Sequence, residues 1–568
     1  MIRTRDLGRY ARTVRWLRPG QIGHRIRLRA QKQAYGRSAT LTTGAFQTTA
    51  SPDAGWPPSF RPLDASTQAR GCPSLEENLG GRFHLLGQTH DLGDPIDWQP
   101  EDATQLWRYH LHYFDWAWVT LTDPGEDTKD QFATLYRSWR VANPIGRWDA
   151  WSPYVVALRA WTLCSLFEPV IRGTGLEALV RDDLAVHARY LRANMEFDVG
   201  GNHLIKNLKA LIGLAIFLRD ERLLRFAARH LARQLDRQVL ADGGHFERST
   251  SYHAQVLGDL IDLRELLEWT EALPGLVSRL EGAVESMQGW LSAMLQPDGS
   301  LPLVNDAIAV PPARLVALGV EEVARPSLEV LQSSGYLVGR PEPGTQWVLD
   351  VGPPCPPELP AHAHADALAL LLDVDGQPVL VDTGTSTYAP GARRQYERST
   401  PAHNTVQVDG EDQTEVWGAF RAGRRHRAIL EDVRVHDDAI EATALHNGYR
   451  HLPGSPVHRR TVRSTPIATQ IIDTVHGAGS HDIAVYWHLS PETLVAVDHN
   501  EVRTSAARLT YDASVPVELE VIKPGNEPLG MIALSHNELL NAPCVVLRVA
   551  YQPLPVTIRT TFHHPPPT

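Results

Sequence analysis

The hydrophobic period of this 568-residue chain changes once along its length, from a helical spacing to a strand spacing. Between residues 106 and 331, apolar residues recur at steps of three and four, as in the series Leu204, Leu208 and Leu211. After residue 335, short alternating runs such as ALALLLDV and NTVQVDG are separated by Gly, Pro, Asp and Asn. The chain is therefore predicted to be a multidomain α + β protein, in which a helical half precedes an antiparallel β-sandwich.

A chain of this length exceeds what one hydrophobic core usually organises, so it is expected to divide into domains. The change of period predicts a basic segment and lead-in over residues 1–105, a helical domain over 106–328 and a sheet domain over 329–568. The net charge of −11 argues against nucleic-acid binding over the whole surface. Wide spacing predicts buried thiols, and not a disulfide framework, for the four cysteines Cys72, Cys164, Cys355 and Cys544.

The first forty residues contain eleven Lys and Arg against one acidic residue, Asp6, and no apolar run suited to a signal peptide. We therefore expect a cytoplasmic location. The basic segment is interpreted either as a solvated terminal helix or as a contact for a membrane surface or an acidic polymer. No stretch reaches the roughly 18 to 20 uninterrupted apolar residues that span a bilayer, so no transmembrane segment is expected.

The segment PAHAHAD, residues 360–366, places His362 and His364 two positions apart ahead of an apolar, strand-like run. Because side chains alternate across an extended segment, both imidazoles are expected on one face. Asp382 closes the run PVLVD and His403 lies in PAHNTV, each at a predicted strand edge from which it can reach the same pocket. Histidine and aspartate suit zinc, so a metal or catalytic cluster is predicted here.

Two polar clusters interrupt the helical half. In GGNHLIKNLKAL, Asn202 is either a helix cap or, with its neighbour His203, part of a functional site. His203 and Asn207 are four positions apart and share one helix face. In DGGHFERSTSYH, the polar side chains exceed what helix capping requires, namely His245, Glu247, Arg248, Tyr252 and His253.

Aromatic and arginine-rich segments supply candidate sugar contacts. The rings in LWRYHLHYFDWAW and RWDAWSPYVVALRAW would either stack on sugars or pack in the core. Arginine forks, as in WGAFRAGRR, bind carboxylate or sulfate in a bidentate manner. The predicted substrate-binding residues are Trp107, His110, Trp151, Glu247, Arg248, His253, Arg398, Trp417 and Arg424.

Taken in order, NHLIKN, HFERSTSYH, HAHAD, VDTGTSTY and AHNTV with WGAFRAGRR resemble the heparinase II/III family of polysaccharide lyases. The resemblance spans most of the chain and is strongest to members encoded with bacterial exopolysaccharide genes. It implies an incomplete α/α toroid before the sandwich and an acidic polysaccharide as substrate. The residues that it implies are Asn202 with His203 for the substrate carboxylate, Tyr252 and His362 for proton transfer, and His364, Asp382 and His403 for a structural Zn²⁺.

The implied reaction is β-elimination at a uronic acid. The substrate carboxylate opposes formation of a carbanion beside it, so an amide such as Asn202 would stabilise the enolate-like charge. Tyr252 and His362 would then divide the duties of base and acid. A tyrosine near its reference pKa of about 10 is a weak base at neutral pH, so cationic neighbours are needed, and Arg248 and His253 are candidates.

Two other classes of function stay open. A glycoside hydrolase would need two opposed carboxylates, for which Glu247 with Asp149 or Asp366 are the candidates. A non-catalytic glycan-binding accessory protein of polysaccharide biosynthesis would keep the fold and the arginine-rich segment. A polysaccharide substrate would favour the periplasm over the cytoplasm. The oligomeric state is left open, and a homodimer is one alternative.

Overall fold

The computed structural model describes residues 4–565 apart from 64, 66–73, 123–124, 322–323, 492, 499–500 and 506. Cys72 lies outside the described residues, whereas Cys164, Cys355 and Cys544 are buried free thiols, as predicted. The chain forms two compact units. The helical unit consists of Arg18–Val239 and Gln255–Glu285, and the sheet unit of Met1–Leu17, Leu240–Ala254 and Ser286–Thr568. These units follow spatial packing, whereas the predicted boundary at residue 328 follows composition, and the two divide the chain differently.

The α-helices of the described chain follow in order. They are α1 Thr4–Val14, α2 Pro19–Arg37, α3 Ala39–Phe46, α4 Leu75–Leu79, α5 Gln105–Tyr113, α6 Glu126–Ala142, α7 Pro153–Leu166, α8 Glu177–Ala193, α9 Gly201–Leu218, α10 Glu221–Gln238, α11 Thr250–Trp269, α12 Pro274–Met294, α13 Pro312–Ala317 and α14 Ala392–Glu397.

Helix α9 is the central element of the helical unit and packs against α7, α8 and α10. The predicted spacing of Leu204, Leu208 and Leu211 is confirmed, because all three side chains are buried. The helix begins after Gly200, whose φ of 77° suits glycine because L side chains rarely adopt it. A nearly continuous apolar surface on α9 therefore fixes its neighbours around it.

One segment of the helical unit, Pro153–Ile171, is 19 residues long and, by length and composition alone, apolar enough to cross a membrane. In the structure, 78% of the most apolar 18-residue stretch of this segment is buried. The segment combines α7 with a single π-helical turn, Phe167–Ile171. Packing inside the unit accounts for its apolar composition, as in the core helix of a globular protein.

The β-strands of the described chain are short. They are β1 Arg82–Leu85, β2 Gln88–Asp91, β3 Leu328–Leu331, β4 Tyr336–Glu342, β5 Thr345–Asp350, β6 Leu370–Val374, β7 Gln377–Leu380, β8 Val406–Val408, β9 Val416–Trp417, β10 Arg421–Ala422, β11 Ala428–Val435, β12 Ile440–His446, β13 Val457–Thr465, β14 Ala468–His476, β15 Ser480–His488, β16 Ala496–Asp498, β17 Glu501–Arg503, β18 Arg508–Ala513, β19 Glu518–Ile522, β20 Met531–Ser535, β21 Glu538–Asn541, β22 Cys544–Pro553 and β23 Val556–His563.

The sheet unit contains a five-stranded sheet ordered β3-β4-β5-β6-β7, an eight-stranded sheet ordered β11-β12-β13-β14-β23-β18-β17-β16 and a four-stranded sheet ordered β19-β22-β15-β8. Neighbouring strands pair in antiparallel fashion, for example β13 with β14 and β15 with β22. One buried apolar cluster joins the three sheets, with Trp347, Phe562 and Trp487 among its members. Alternate residues of β14 point into this core. The loops at the ends of these strands carry the polar groups described below.

Candidate active site

The loop before α11 has its shape fixed by close contacts. Gly243 has a φ of 84°, and a Cβ atom there would lie 2.1 Å from the carbonyl oxygen of Ser286, so no larger residue fits. Arg248 also has a positive φ, of 59°. Its carbonyl oxygen accepts hydrogen bonds from the Tyr336 hydroxyl at 2.9 Å and from Asn305 Nδ2 at 3.0 Å. This loop delivers Tyr252 into the first turn of α11.

Tyr252 and His362 lie in contact within the sheet unit. Their ring centroids are 4.1 Å apart and the rings are tilted by 36°. The Tyr252 hydroxyl is 2.8 Å from the hydroxyl of Tyr388. His362 Nε2 lies 3.4 Å from a carboxylate oxygen of Glu247. Three residues that the sequence predicted for the site, Tyr252, His362 and Glu247, are therefore brought together, and Tyr388 joins them without having been predicted.

Asp306 is the centre of a buried group that we call the Asp306 cluster, made of Asp306, His362, His364 and Arg394. Its carboxylate accepts hydrogen bonds from His362 Nδ1 and His364 Nε2, both at 2.8 Å. Arg394 donates to both oxygens, at 2.5 and 2.7 Å. Sequence reasoning missed Asp306 and Arg394, which come from the segment LVNDA and from α14.

The protonation of the Asp306 cluster follows from these contacts. Burial alone would raise the pKa of Asp306, but Arg394 and the two histidine hydrogen bonds hold it well below its ordinary value. An ionised carboxylate only accepts hydrogen bonds, so His362 Nδ1 and His364 Nε2 carry the hydrogens. The second nitrogen of His362, Nε2, then lies on the side of Glu247, and the His362 side chain is 11% exposed.

His253 does not supply the positive charge predicted beside Tyr252. Burial lowers the pKa of His253 to about 3, so the imidazole is neutral. Its ring stacks on Trp290 at 4.6 Å, its Nδ1 accepts the His245 amide at 3.1 Å and its Nε2 donates to the Met287 carbonyl at 2.9 Å. His253 therefore holds the loop and cannot act as a cation.

Arg248, the other predicted cation, donates to backbone carbonyls of Phe246, Ser333 and Ser334. A different arginine lies beside the tyrosine pair. The guanidinium of Arg394 lies 5.0 Å from the ring centre of Tyr388, whose hydroxyl contacts Tyr252. The positive charge next to the tyrosines thus comes from Arg394, a residue that the sequence motifs did not indicate.

The predicted zinc ligands lie close together but do not form a finished metal site. His403 Nδ1 donates to Asp382 at 2.8 Å, and the rings of His364 and His403 are 5.2 Å apart. Throughout the described ranges, no group of three or more His, Cys, Asp or Glu side chains is arranged to hold a metal ion. However, His364 Nδ1 and His403 Nε2 are buried without a hydrogen-bond partner. Two such orphaned ring nitrogens, next to a carboxylate, fit the donor types that zinc prefers.

Asn202 and His203 belong to the helical unit, at the start of α9. Asn202 is buried, and His203 Nδ1 lies 3.1 Å from Glu196 Oε1. Asn207 donates to the other oxygen of Glu196 at 3.0 Å and accepts the Glu196 amide at 2.9 Å. The His203 ring also packs on Tyr154 at 4.3 Å. The predicted shared face of His203 and Asn207 is therefore organised by Glu196, which the sequence motifs did not single out.

The tryptophans predicted to stack on sugars in the helical unit are core residues. Trp107 is 0% exposed and donates to the Gln88 carbonyl at 3.2 Å. Trp151 is buried and donates to the Asn143 carbonyl at 3.0 Å. Of the two interpretations that the sequence left open, core packing is the one observed. His110 is half-buried and its Nδ1 lies 2.6 Å from Asp115.

In the sheet unit, Arg398 is fully buried and donates to the carbonyls of Ala363, Gly418 and Arg421 at 3.0 to 3.1 Å. Its contacts fit a role in holding loops together better than the predicted contact with substrate. Trp417 is likewise occupied, because its Nε1 donates to Thr13 at 3.1 Å and its ring packs on Tyr10. Arg424 is half-buried and lies 2.9 Å from His451.

Two family models match this chain. The model described as "Heparinase II/III N-terminus" matches residues 69–318, and the model described as "Heparinase II/III-like, C-terminal" matches residues 324–537. A curated relative, "FtsZ-localized protein C" of Caulobacter vibrioides (strain NA1000 / CB15N), is 27% identical over 396 residues, which are 66% of this chain and 66% of that protein. The chain thus spans about two thirds of the length of this relative.

Solved structures share the fold at low sequence identity. A structure titled "Crystal Structure of Heparinase III" has a TM-score of 0.74 at 17% identity and covers 96% of this chain and 92% of its own. The heparan sulfate lyase HepC from Pedobacter heparinus has a TM-score of 0.56 at 19% identity and covers 89% of this chain and 84% of its own. The predicted fold class, a helical toroid followed along the chain by an antiparallel β-sandwich, is confirmed.

Proposed function

Because the chain belongs to the heparinase II/III family, we propose that it is a polysaccharide lyase that cleaves a uronic acid-containing polysaccharide by β-elimination. The observation that carries this proposal is the contact between Tyr252 and His362, with ring centroids 4.1 Å apart. Elimination needs one group to remove the proton beside the uronate carboxylate and one to protonate the departing glycosidic oxygen. A phenol and an imidazole in contact supply both groups.

In this proposal, Asp306 sets the working tautomer of His362. The Nδ1 hydrogen is held by the ionised Asp306 carboxylate at 2.8 Å, so Nε2 is the atom that exchanges a proton with the sugar. Arg394 stabilises the ionised form of Asp306 by donating to both of its oxygens. Asp306 therefore acts as a positioning residue, because it acts on the imidazole and through it on the substrate.

Tyr388 is proposed to support Tyr252. Burial raises the pKa of the Tyr388 hydroxyl well above its ordinary value, so this phenol stays protonated. It can donate a hydrogen bond to Tyr252 across their 2.8 Å contact when Tyr252 is a phenolate. Hydrogen bonding to the charged form favours that form, which is the help that a tyrosine base needs near neutral pH.

Two further assignments rest on the family resemblance. Asn202, with His203, is proposed to bind the uronate carboxylate and to stabilise the charge of the enolate-like intermediate. Zinc, if bound by His364, Asp382 and His403, would serve as a structural ion. Ligation of His364 would fix the backbone that carries His362 two residues earlier.

A lyase is recognised by its product. Purified protein is incubated with heparosan, hyaluronan, alginate and acidic bacterial capsules, and ultraviolet absorbance is followed. Elimination leaves an unsaturated, absorbing uronate at each new chain end, so absorbance should grow with at least one polymer. New reducing ends without absorbance would contradict elimination and indicate a hydrolase.

A non-catalytic accessory role is the second candidate, because the name of the curated relative refers to localisation with FtsZ and not to a lyase activity. Such a protein would bind an acidic polysaccharide and release no product. Replacement of Tyr252 by Phe separates the candidates, since it should lower turnover by a lyase by about 10²- to 10⁴-fold and leave glycan binding by an accessory protein nearly unchanged. The measurement is glycan affinity and product formation on the same preparations.

A further inference from the structure

The N-terminal helix α1 contacts the rest of the sheet unit through its polar face. Arg12 donates to both carboxylate oxygens of Glu415, at 2.7 and 2.5 Å. The Thr13 hydroxyl accepts Trp417 Nε1 at 3.1 Å. Just beyond the helix, Trp16 Nε1 donates to the Gly423 carbonyl at 3.1 Å. These hydrogen bonds turn positions 12, 13 and 16 toward the protein.

The opposite face of α1 is apolar and exposed. Leu7 is 56% exposed, Val14 is 45% exposed, and Ala11 lies between them on the same exposed face. Tyr10, at 37%, borders this stripe. Residues at positions 7, 11 and 14 share one side of an α-helix. A surface helix normally buries its apolar stripe, so α1 is inverted: its ionic face is inside and its hydrophobic face meets water.

Helix α2, in the helical unit, likewise combines polar side chains that bond to the protein with apolar side chains that are exposed. Its Gln21 and Arg25 side chains donate to the Asp198 carbonyl, whereas Ile22 and Ile26, one turn apart, are 37% and 65% exposed. Among the described residues, nineteen large hydrophobic side chains are exposed, and five of them fall between positions 7 and 26. So dense a group differs from the scattered exposed apolar residues of an ordinary surface.

The same segment concentrates positive charge. The first forty residues carry eleven Lys and Arg against one acidic residue in a chain whose net charge is −11. Exposed cations accompany the apolar residues: Arg15 and Arg18 lie between the two helices, and Arg27, Arg29, Lys32 and Arg37 lie on α2. A second copy of the chain, docked through the same face, would bring like charges together. An acidic polymer would bind the cations and leave the apolar stripe in water.

We propose that residues 7–37 dock peripherally on an anionic lipid bilayer, with α1 and α2 each binding through its own exposed face. Apolar side chains of α1 and α2 enter the headgroup boundary, and the arginines and lysine bind acidic headgroups. None of these residues has a role in the proposed lyase chemistry, so either inference can fail without the other. The docking is peripheral because the apolar stripe is one helix face and not a span.

The test is cosedimentation of the full chain, tagged at its C-terminus, with vesicles of phosphatidylglycerol and phosphatidylcholine in equal parts or of phosphatidylcholine alone. We expect binding to the anionic vesicles that weakens as salt is raised. The double variant Leu7→Asp/Val14→Asp leaves Arg12 and Trp16 in place and should bind about tenfold more weakly or worse. Replacing Arg29 and Lys32 by Gln should weaken binding roughly fivefold per charge.

The matched control is Val316→Asp/Ile467→Asp, which alters two hydrophobic side chains that are 76% and 68% exposed outside the segment. This control should bind like wild type, and circular dichroism checks that all variants are folded. The proposal is overturned if wild type does not sediment with anionic vesicles, if it binds neutral vesicles equally well, or if the N-terminal and control variants behave alike. Binding to soluble heparosan without binding to vesicles would also overturn it.

Discussion

Two buried clusters in the sheet unit are built from the same types of side chain, namely aspartate, arginine and histidine. They differ in whether the second ring nitrogen of the histidine is enclosed by further hydrogen bonds. In the Asp306 cluster, a carboxylate pairs with Arg394 and two histidines. In the second, which we call the Asp473 cluster, Asp473 accepts from Arg460 at 2.7 and 3.0 Å and from His458 Nε2 at 2.7 Å. In both clusters, burial alone would raise the pKa of the carboxyl group. The arginine and the histidine hydrogen bonds lower this pKa instead, in the case of Asp473 to about 2.

The clusters differ at the far nitrogen of each histidine. His458 Nδ1 lies 3.2 Å from His446 Nε2, and His446 Nδ1 accepts the Gly448 amide at 3.1 Å, so the Asp473 cluster is a closed chain of hydrogen bonds. His362 instead turns its second nitrogen toward Glu247 and its ring toward Tyr252, and it reaches solvent. A buried ion pair with a shifted pKa is therefore not enough to mark a catalytic site. The open imidazole is what separates the two.

The largest effect in this comparison is expected at Tyr252 and His362. Replacing Tyr252 by Phe, or His362 by Ala, removes a group proposed to transfer a proton, so kcat should fall by about 10²- to 10⁴-fold in each variant. Tyr551→Phe is the control, because Tyr551 is 71% exposed and lies in β22, which contributes no residue to the Asp306 cluster. Initial rates of absorbance growth on the best polymer provide the measurement. If Tyr252→Phe turned over like Tyr551→Phe, the proposed proton transfer would be abandoned.

Asp306→Asn and Asp473→Asn compare the two clusters directly. Each variant leaves an arginine without its carboxylate, so each should lose about 3–5 kcal/mol of unfolding free energy. Asp306→Asn should also lower kcat by roughly 10²-fold with little change in KM, because His362 loses its fixed tautomer. Asp473→Asn should keep kcat per folded molecule.

Urea unfolding and steady-state kinetics on the same preparations separate stability from rate for this pair. Equal losses of kcat in the two variants would mean that Asp306 acts through stability alone. A fall confined to KM would show that it acts on substrate binding and not on the imidazole.

The zinc proposal predicts different results for two kinds of buried histidine. Those with a ring nitrogen that has no hydrogen-bond partner should bind the metal, and those whose ring nitrogens are all hydrogen-bonded should not. Protein purified without chelator should contain one zinc per chain, measured by mass spectrometry of the metal. His403→Ala should lose the metal and lower the thermal midpoint, because His403 Nε2 is a proposed donor atom. His458→Ala, in the Asp473 cluster, should keep it. Metal-free wild type of unchanged thermal midpoint would remove zinc from the proposal.

The smallest expected effect is a pH dependence at Asp473. Because its pKa is about 2 in the folded protein and near 4 when unfolded, its ionised form stabilises the fold above about pH 4. That contribution, about 3 kcal/mol, is lost progressively as pH falls from about 4 through 2. The difference in unfolding free energy between wild type and Asp473→Asn should therefore shrink as pH is lowered from about 5. A constant difference would show that the carboxyl charge is not what stabilises the cluster.

The family motifs indicated Tyr252, His362 and the pair Asp382 and His403 because each lies in a short run of unusual polar density. They did not indicate Asp306, whose neighbours in LVNDA are mostly apolar. Asp306 meets His362 only because a loop held by Asn305 and α14 converge on the same point in space. A contact across 56 positions in sequence leaves no local pattern.

The sequence alone determined the helical half, the antiparallel sheets and the order of the motifs, because hydrophobic period and turn residues act over a few positions. Only the tertiary structure decided that His253 is neutral, that Arg398 donates to backbone carbonyls and that Arg394 supplies the positive charge near the tyrosines. Protonation and hydrogen bonding depend on which distant side chains exclude water from a group, and that is settled by packing.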